Sequence, residues 1–297
     1  MLQLDAEAPR RALTTVQLLL RDCPACGRST EHAQLYSIRA STILRCTACG
    51  LGRTEAPAFE PERYYTDDYF TGQHADGYAD YRGAEGVLRR EFASTVEFIR
   101  ARRDGGRLLE VGCAYGFFLQ EAKPFFDVAG IELATDAAAN ARRCGLNVLT
   151  GVADEATLRR LSTFDVIVML DVIEHLSDPL DMLRLLGRHL VPGGIIVITT
   201  GDFGSLVARL AGKHWRLMTP PQHLWFFTPG SLSRMARSAG LDCEHVDHPW
   251  KIVPLSLVLF QLRRMVGLRQ SAQPGAGGIG LPLNLFDAMR VVLRKPA

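Results

Sequence analysis

A glycine-rich turn followed by a carboxylate is the first feature of this chain that could do chemistry. Residues 107–116 read RLLEVGCAYG, and twenty residues after Gly112 comes Glu132, at the end of a second apolar segment. In a doubly wound sheet, such glycines let the backbone approach a nucleoside, and the later acid accepts hydrogen bonds from ribose hydroxyls. The turn lacks the third glycine that seats a pyrophosphate, so it predicts a ligand with a ribose but no phosphate.

Four of the seven cysteines form two pairs, Cys23-x-x-Cys26 and Cys46-x-x-Cys49, each followed by a glycine. Two thiolate pairs can close a tetrahedron around Zn²⁺. Each pair alone could be a redox motif, but two pairs that flank a strand-like stretch over 33–44 favour a zinc ribbon. Four sulfur ligands leave no open position, so the predicted Zn²⁺ is structural.

Two histidines are candidate general bases, because imidazole can take a proton near neutral pH. His175 follows an apolar strand, at the edge where ligands bind in such sheets, and helix capping or packing is its alternative role. His223 lies in the aromatic segment PPQHLWFF, where catalysis and structure are both open. Outside the cysteines, no spacing of histidines and carboxylates predicts a metal-dependent catalytic site.

The elements that must position these residues alternate strand and helix from residue 84 onward, which predicts an α/β protein with a parallel sheet. Helices are predicted over 84–102, from Asp178-Pro179 to the LVPGG segment at 190–194, and from Thr228-Pro229. The predicted strands are 108–111, 128–131, 148–150, 165–170, 195–200, 243–246 and 289–294. An insertion at 249–286 separates the last two strands.

The predicted organisation has four parts. They are a lead-in at 1–20, the zinc ribbon at 21–55, a Tyr-rich connector at 56–83 and the sheet domain at 84–297. The tyrosines of the connector could close over a ligand as a lid, or they could tie the ribbon to the main domain. These residues are Tyr64, Tyr65, Tyr69, Tyr78 and Tyr81.

Charge and hydropathy restrict the partners. Residues 1–70 hold eight Arg and nine Asp or Glu, whereas a nucleic-acid-gripping ribbon should be distinctly basic. Residues 252–266 are apolar around most of a helix and end near Arg263 and Arg264, which fits peripheral membrane contact or, as an alternative, packing on the domain or a dimer interface. With no signal peptide and no spanning segment, a cytoplasmic protein is predicted, at most peripheral at the inner membrane face.

Several segments resemble, in the right order, the motifs of class I S-adenosylmethionine-dependent methyltransferases. They are the glycine turn with Glu132, FDVIVMLD at 164–171 with VIEHL at 172–176, and LVPGG at 190–194. The resemblance covers about residues 84–248 and implies a Rossmann-like seven-stranded sheet with helices on both faces. It also implies S-adenosylmethionine as the ligand, which has a ribose and no phosphate.

The resemblance implies which residues hold this cofactor. Gly112, Ala114 and Gly116 would pack under its methionine part with Glu110 nearby, and Glu132 would hold the ribose hydroxyls. The remaining implied residues are Val152, Ala153 and Asp154 beside the adenine, and Leu170 and Asp171 at the amino acid end. Val152 stands where an aspartate is frequent, which leaves the contact of Asp154 with the adenine open, and Ala114 stands where glycine is commoner.

The zinc ribbon ahead of this domain resembles bacterial sugar and natural-product methyltransferases. The similarity implies methyl transfer to an oxygen or carbon atom of a small molecule, a sugar or a glycan- or lipid-linked intermediate. Two alternatives stay open: a ribosomal RNA base methyltransferase whose ribbon grips RNA, and a non-catalytic protein that binds S-adenosylmethionine and uses the ribbon as an interaction surface. The near-neutral charge of residues 1–70 argues against the first, and the intact run from Glu110 to Gly194 argues against the second.

Overall fold

A computed structural model describes residues 17–56, 81–254 and 280–297. Its strands are β1 (Leu18–Cys23), β2 (Arg28–Ile38), β3 (Ser41–Cys46), β4 (Gly52–Glu55), β5 (Arg107–Val111), β6 (Asp127–Glu132), β7 (Asn147–Thr150), β8 (Phe164–Leu170), β9 (Leu190–Gly201), β10 (Trp225–Phe226), β11 (Asp242–Asp247), β12 (Lys251–Pro254), β13 (Gly280–Leu283) and β14 (Ala288–Arg294). All seven predicted strands of the main sheet are confirmed.

Helices lie between these strands. They are α1 (Glu85–Arg100), α2 (Phe117–Ala122), α3 (Thr135–Arg143), α4 (Glu155–Leu158), α5 (Pro179–Arg188), α6 (Leu206–Ala211) and α7 (Pro229–Ser238), with 3₁₀ turns at Ile173–His175 and Gly212–His214. Side chains of Asp178 and Thr228 cap the N-termini of α5 and α7, as the Asp-Pro and Thr-Pro pairs predict. The LVPGG segment was expected to end a helix, but α5 ends at Arg188 and LVPGG opens β9, with Gly193 at φ +70°.

The main sheet has the order β11-β14-β9-β8-β5-β6-β7, and β14 is antiparallel to both of its neighbours. Successive residues of β8 point into different cores: Ile167 and Met169 pack with α5 and α7, whereas Val166 and Val168 pack with α1 and α2. Both faces are therefore covered, which confirms the predicted Rossmann-like layers.

A second sheet, ordered β1-β2-β3-β4-β10, contains the cysteine pairs. The strand-like stretch over 33–44 is a hairpin in which β2 and β3 turn at Arg39-Ala40, and Arg39 has φ +54°. The turn was not predicted, because no glycine or proline marks it. The last strand, β10, comes from the main domain, so hydrogen bonds between β4 and β10 join the ribbon to a segment that follows β9.

The insertion between β11 and β14 is confirmed, and it carries the antiparallel pair β12 and β13. The predicted helical character of 252–266 is wrong for Ile252–Pro254, which lie in β12, because proline lacks the N–H that a helix interior needs. Residues 255–266, and with them most of the predicted membrane contact, lie outside the described residues. Within the described ranges, no helix is long and apolar enough to cross a bilayer.

Candidate functional site

The turn after β5 holds three residues with left-handed backbones: Gly112 (φ +75°), Ala114 (φ +45°) and Gly116 (φ +77°). A Cβ on Gly112 would lie 2.8 Å from Val172 Cγ2, and one on Gly116 would lie 2.5 Å from Leu146 Cδ1, so both positions also lack room for a side chain. Ala114 tolerates a conformation that L-residues disfavour, which indicates that the surrounding contacts enforce it.

Glu132 ends β6 and is fixed by this turn. Its Oε2 accepts a hydrogen bond from the Ala114 N–H at 2.7 Å, and its Oε1 accepts one from the Ala134 N–H at 2.8 Å. The side chain is 5% exposed. Because a carboxylate only accepts hydrogen bonds and has two oxygens, two adjacent hydroxyls match its geometry.

Glu110 lies one strand away and is also buried. Its Oε2 has no hydrogen-bond partner among the described residues. Burial raises the pKa of Glu110 well above its usual range, and the charge of Glu132 raises it further. A buried carboxyl oxygen without a partner is costly unless a bound molecule supplies a donor, so this pocket fits a polar ligand.

The remaining predicted cofactor residues lie at the same edge of the sheet. Val152 is exposed and Ala153 packs on the core, whereas the Asp154 carboxylate caps α4 by accepting a bond from the Thr157 N–H at 2.7 Å. That bond lowers the pKa of Asp154. The predicted contact of Asp154 with an adenine stays a prediction.

Leu170 ends β8, and Asp171, which follows it, has φ +54°. The Asp171 N–H donates to the Thr199 carbonyl at 3.0 Å, and the Thr199 hydroxyl donates to Asp171 Oδ1 at 3.0 Å. These bonds hold the Asp171 carboxylate near the two histidines, where its charge acts on both rings.

His175 and His223 were alternatives in the sequence, but the structure places them together. Their ring centroids are 4.8 Å apart and the planes are nearly perpendicular. His175 Nδ1 lies 2.9 Å from the Gln222 carbonyl oxygen, and His223 Nδ1 lies 2.8 Å from that of Leu217. Because a carbonyl only accepts, each Nδ1 must carry the proton, which leaves both Nε2 atoms as acceptors.

Burial lowers the pKa of both histidines. For His223 the pKa falls to about 3, with burial as the largest cause and the neighbouring His175 as the next. Both rings are therefore neutral at physiological pH. A carboxylate oxygen of Glu174 and a ring nitrogen of each histidine lie within 4.8 Å of one another. Spacing along the sequence did not indicate this cluster, because it does not reveal a partner on a distant loop.

The segment before His223 is anchored by Asp287, which the sequence analysis did not single out. Asp287 is 1% exposed and accepts bonds from Trp215 Nε1 and from the Arg216 guanidinium, each at 2.9 Å. Although burial acts to raise it, these donors hold the pKa of Asp287 below its usual range. The sequence does not predict this contact, because Asp287 lies more than seventy residues after Trp215 and Arg216 in the chain.

Of the connector tyrosines, only Tyr81 lies in the described part of the chain. It is buried and stacks on Tyr115 and Phe117, with centroid distances of 5.9 and 5.6 Å. The other connector tyrosines, Tyr64, Tyr65, Tyr69 and Tyr78, lie outside the described residues. Their closure over a ligand and their attachment of the ribbon to the main domain both stay predictions.

The four cysteines converge in the second sheet. Cys23 Sγ lies 3.5 Å from Cys49 Sγ, Cys26 Sγ lies 3.9 Å from Cys46 Sγ, and all four sulfurs are within 4.8 Å of one another. Sulfur ligands about 2.3 Å from a tetrahedral Zn²⁺ are separated by about 3.8 Å, so the donor set fits that ion. The glycines after each pair, Gly27 and Gly50, have φ +66° and +77°, and they let the chain turn.

Comparison with known proteins agrees with this geometry. The family described as a methyltransferase domain matches residues 85–246. Ubiquinone biosynthesis O-methyltransferase of Cereibacter sphaeroides is 31% identical over 151 residues, which are 47% of this chain and 61% of that protein, so the chain spans less than two thirds of this relative. The protein of the same name from Methylococcus capsulatus is 28% identical over 191 residues, 59% of this chain and 81% of that one.

A solved structure shows the same fold at low identity. Magnesium protoporphyrin IX methyltransferase from Synechocystis PCC 6803, with bound SAH, superposes with a TM-score of 0.51 and 12% identity. The match covers 79% of this chain and 97% of that one. At this identity the likeness concerns the fold alone.

Proposed function

The chain belongs to the methyltransferase domain family, whose match spans more than half of it, and we propose that it transfers a methyl group from S-adenosylmethionine to a hydroxyl oxygen of a small molecule. The observation that carries this proposal is the Glu132 carboxylate, held at the crevice by the N–H groups of Ala114 and Ala134. The names of the related O-methyltransferases support oxygen, rather than carbon, as the acceptor atom.

Residues at the crevice fit the methyl donor. Glu132 would accept hydrogen bonds from its ribose hydroxyls, and the left-handed turn from Gly112 to Gly116 would pass close to it. The partnerless Glu110 oxygen would gain a donor. S-adenosylmethionine supplies a methyl group on a positively charged sulfur, and the protein's part is alignment of the acceptor and exclusion of water.

His223 is proposed as the general base. When a hydroxyl oxygen takes the methyl group, the O–H proton must leave, and the Nε2 lone pair of His223 accepts it. The sulfur loses its positive charge as the imidazole gains one. Burial and the neighbouring His175 oppose this charge, whereas the carboxylate of Asp171 favours it. His175 lies within reach as the second proton acceptor.

For the acceptor, we propose a sugar hydroxyl on a free, glycan-linked or lipid-linked intermediate. Trp225 follows His223 by two residues and is only partly buried, so its ring can stack on a sugar. Phe226 lies 6.3 Å from the His223 ring but is buried in the core with Trp215. A second candidate is a phenolic hydroxyl of a quinone precursor, which the names of the relatives favour.

For the cysteine cluster we propose a structural Zn²⁺, since four thiolates leave no site for substrate.

Transfer of labelled methyl groups tests the activity. Methyl-tritiated S-adenosylmethionine is incubated with the protein and a fractionated bacterial extract, beside the variants Glu132→Ala and His223→Ala. Label in a nuclease-resistant small-molecule or glycan fraction, lost with both variants, is the expected result. Label in RNA would support base methylation instead, and cofactor binding without label in any fraction would support a non-catalytic role. Near wild-type turnover by His223→Ala would refute its role as base.

A further inference from the structure

The last strand of the ribbon is bonded directly to the loop that carries His223. Strand β4 pairs with β10, with Trp225 opposite Arg53 and Phe226 opposite Gly52. One step further along, the Thr54 N–H donates to the Leu224 carbonyl at 2.9 Å. The ribbon thus extends its sheet into the acceptor side of the candidate site.

The side chain of Thr54 adds a hydrogen bond to His223, the proposed general base. Its hydroxyl donates to the backbone carbonyl of His223 at 2.6 Å, and the side chain is buried. From the other side, the Leu224 N–H donates to the Glu174 carbonyl at 2.8 Å, in the turn that carries His175. The backbone at His223 is therefore held between the ribbon and the His175 turn.

The His223 ring has a separate anchor, since its Nδ1 donates to the Leu217 carbonyl at 2.8 Å. The ring and the backbone are thereby fixed by different parts of the chain. These two bonds act with a third, from the His223 N–H to the Thr219 carbonyl at 3.1 Å, to set the direction of Nε2. Loss of one of them lets the ring rotate or shift relative to His175, and small displacements of a base cost catalysis.

A short, packed path connects Thr54 to the cysteines. Cys49 is followed by Gly50 and Leu51, and the Leu51 carbonyl accepts a bond from the Cys46 N–H at 2.9 Å. Leu51 is 1% exposed. At Gly52 a Cβ would lie 2.8 Å from Phe226 Cβ and 2.9 Å from Phe203 Cε1. The strand is therefore packed closely against the main domain.

We propose that Thr54 is a positioning residue for His223, and that the four-cysteine ribbon is the support from which it acts. The inference rests on the proposed function for the role of His223, but the position of the ring can be measured without any acceptor. In this arrangement the ribbon serves the acceptor side of the reaction.

The test uses the full chain labelled with ¹⁵N-histidine. Long-range ¹H–¹⁵N spectra report the tautomer and surroundings of each ring, and His223→Gln assigns the His223 signals. Thr54→Val removes the hydroxyl, and Thr54→Ser keeps it. The matched control is Thr47→Val, which removes a hydroxyl bond of 2.9 Å to the Glu31 carbonyl within the ribbon. Zinc content and S-adenosylmethionine affinity are measured for every variant.

We expect Thr54→Val to shift the His223 signals and to lower methyl transfer into the labelled fraction about 5-fold, the size of one net hydrogen bond. Cofactor affinity and zinc content should stay at wild-type values, and Thr54→Ser and Thr47→Val should match the wild type throughout. Should Thr54→Val fail to fold, Thr54→Ala removes the same hydroxyl without adding bulk. Unchanged His223 signals in a folded variant without the hydroxyl would overturn the proposal. Failure of His223 as the base would show separately, as normal turnover by His223→Gln.

Discussion

Replacing His223 with glutamine should remove part of the acid sensitivity of the folded protein. In the folded state burial lowers the pKa of His223 to about 3, whereas an unfolded histidine titrates near 6.5. Between these values the unfolded chain binds a proton that the folded chain does not. The contribution of the neutral His223 ring to the free energy of unfolding is therefore fully present above about pH 6.5. It is lost progressively as the pH falls from about 6.5 toward about 3.

The size of the effect follows from the two pKa values. Between pH 7 and pH 5, protonation of His223 in the unfolded chain lowers the free energy of unfolding by about 2 kcal/mol. His175 shifts in the same direction, and burial of Glu110 acts in the opposite one, but both are common to wild type and variant. The difference between wild type and variant in the pH dependence of the free energy of unfolding therefore reports the contribution of His223.

Urea unfolding at pH 7, 6 and 5, with zinc at a fixed concentration, measures this difference. The free energy of unfolding of the wild type should fall by about 2 kcal/mol more than that of His223→Gln over this range. His214→Gln is the matched control, because that ring is exposed on the same segment and its loss should leave the wild-type slope. Parallel pH curves for wild type and His223→Gln would refute the argument that this ring is buried and neutral.

Three further outcomes are expected. Glu132→Gln should weaken S-adenosylmethionine binding about 10- to 30-fold in calorimetry, because an amide cannot accept hydrogen bonds from both Ala114 and Ala134. The control Asp127→Asn, at the exposed opposite end of β6, should bind the cofactor as the wild type does. Elemental analysis should find one zinc per chain, lost in Cys49→Ser and kept in Cys243→Ser; a metal-free protein of unchanged thermal stability would contradict the site. Gly52→Ala should destabilise the fold by about 2 kcal/mol through its contacts with Phe226 and Phe203. Gly86→Ala, in the open on α1, should be neutral or stabilising in the same thermal melts.

The main sheet could be predicted because its central strands are buried on both faces. Such strands appear in the sequence as apolar runs, of which Phe164–Leu170 is the clearest, and glycines or proline mark their ends. The turn at Gly112 and the acid at Glu132 could be predicted for a different reason. The turn has a left-handed backbone at Gly112 that favours glycine, and the Glu132 carboxylate accepts bonds from backbone N–H groups, which few side chains can do.

The contact between His175 and His223 could not be predicted, although each was named as a candidate base. It depends on the loop that pairs through β10 with β4, and a strand of two residues leaves no periodic signal. The hairpin turn at Arg39 was missed because a non-glycine residue adopts the left-handed conformation there. Asp287 and Thr54 act through partners far away in the chain, which the order of residues does not reveal.

Strand β10 has a consequence for how the protein is made. The cysteines leave the ribosome early and can bind metal soon afterwards, but β4 has to wait for Trp225 and Phe226 before its outer edge is paired. Until then an open strand edge is available to other chains, which is a common route to aggregation. Deleting residues 17–56 from the finished protein would likewise strip β10 of its partner and uncover Phe226, which is 2% exposed in the whole chain. The ribbon should therefore be studied, expressed and engineered together with the domain that follows it.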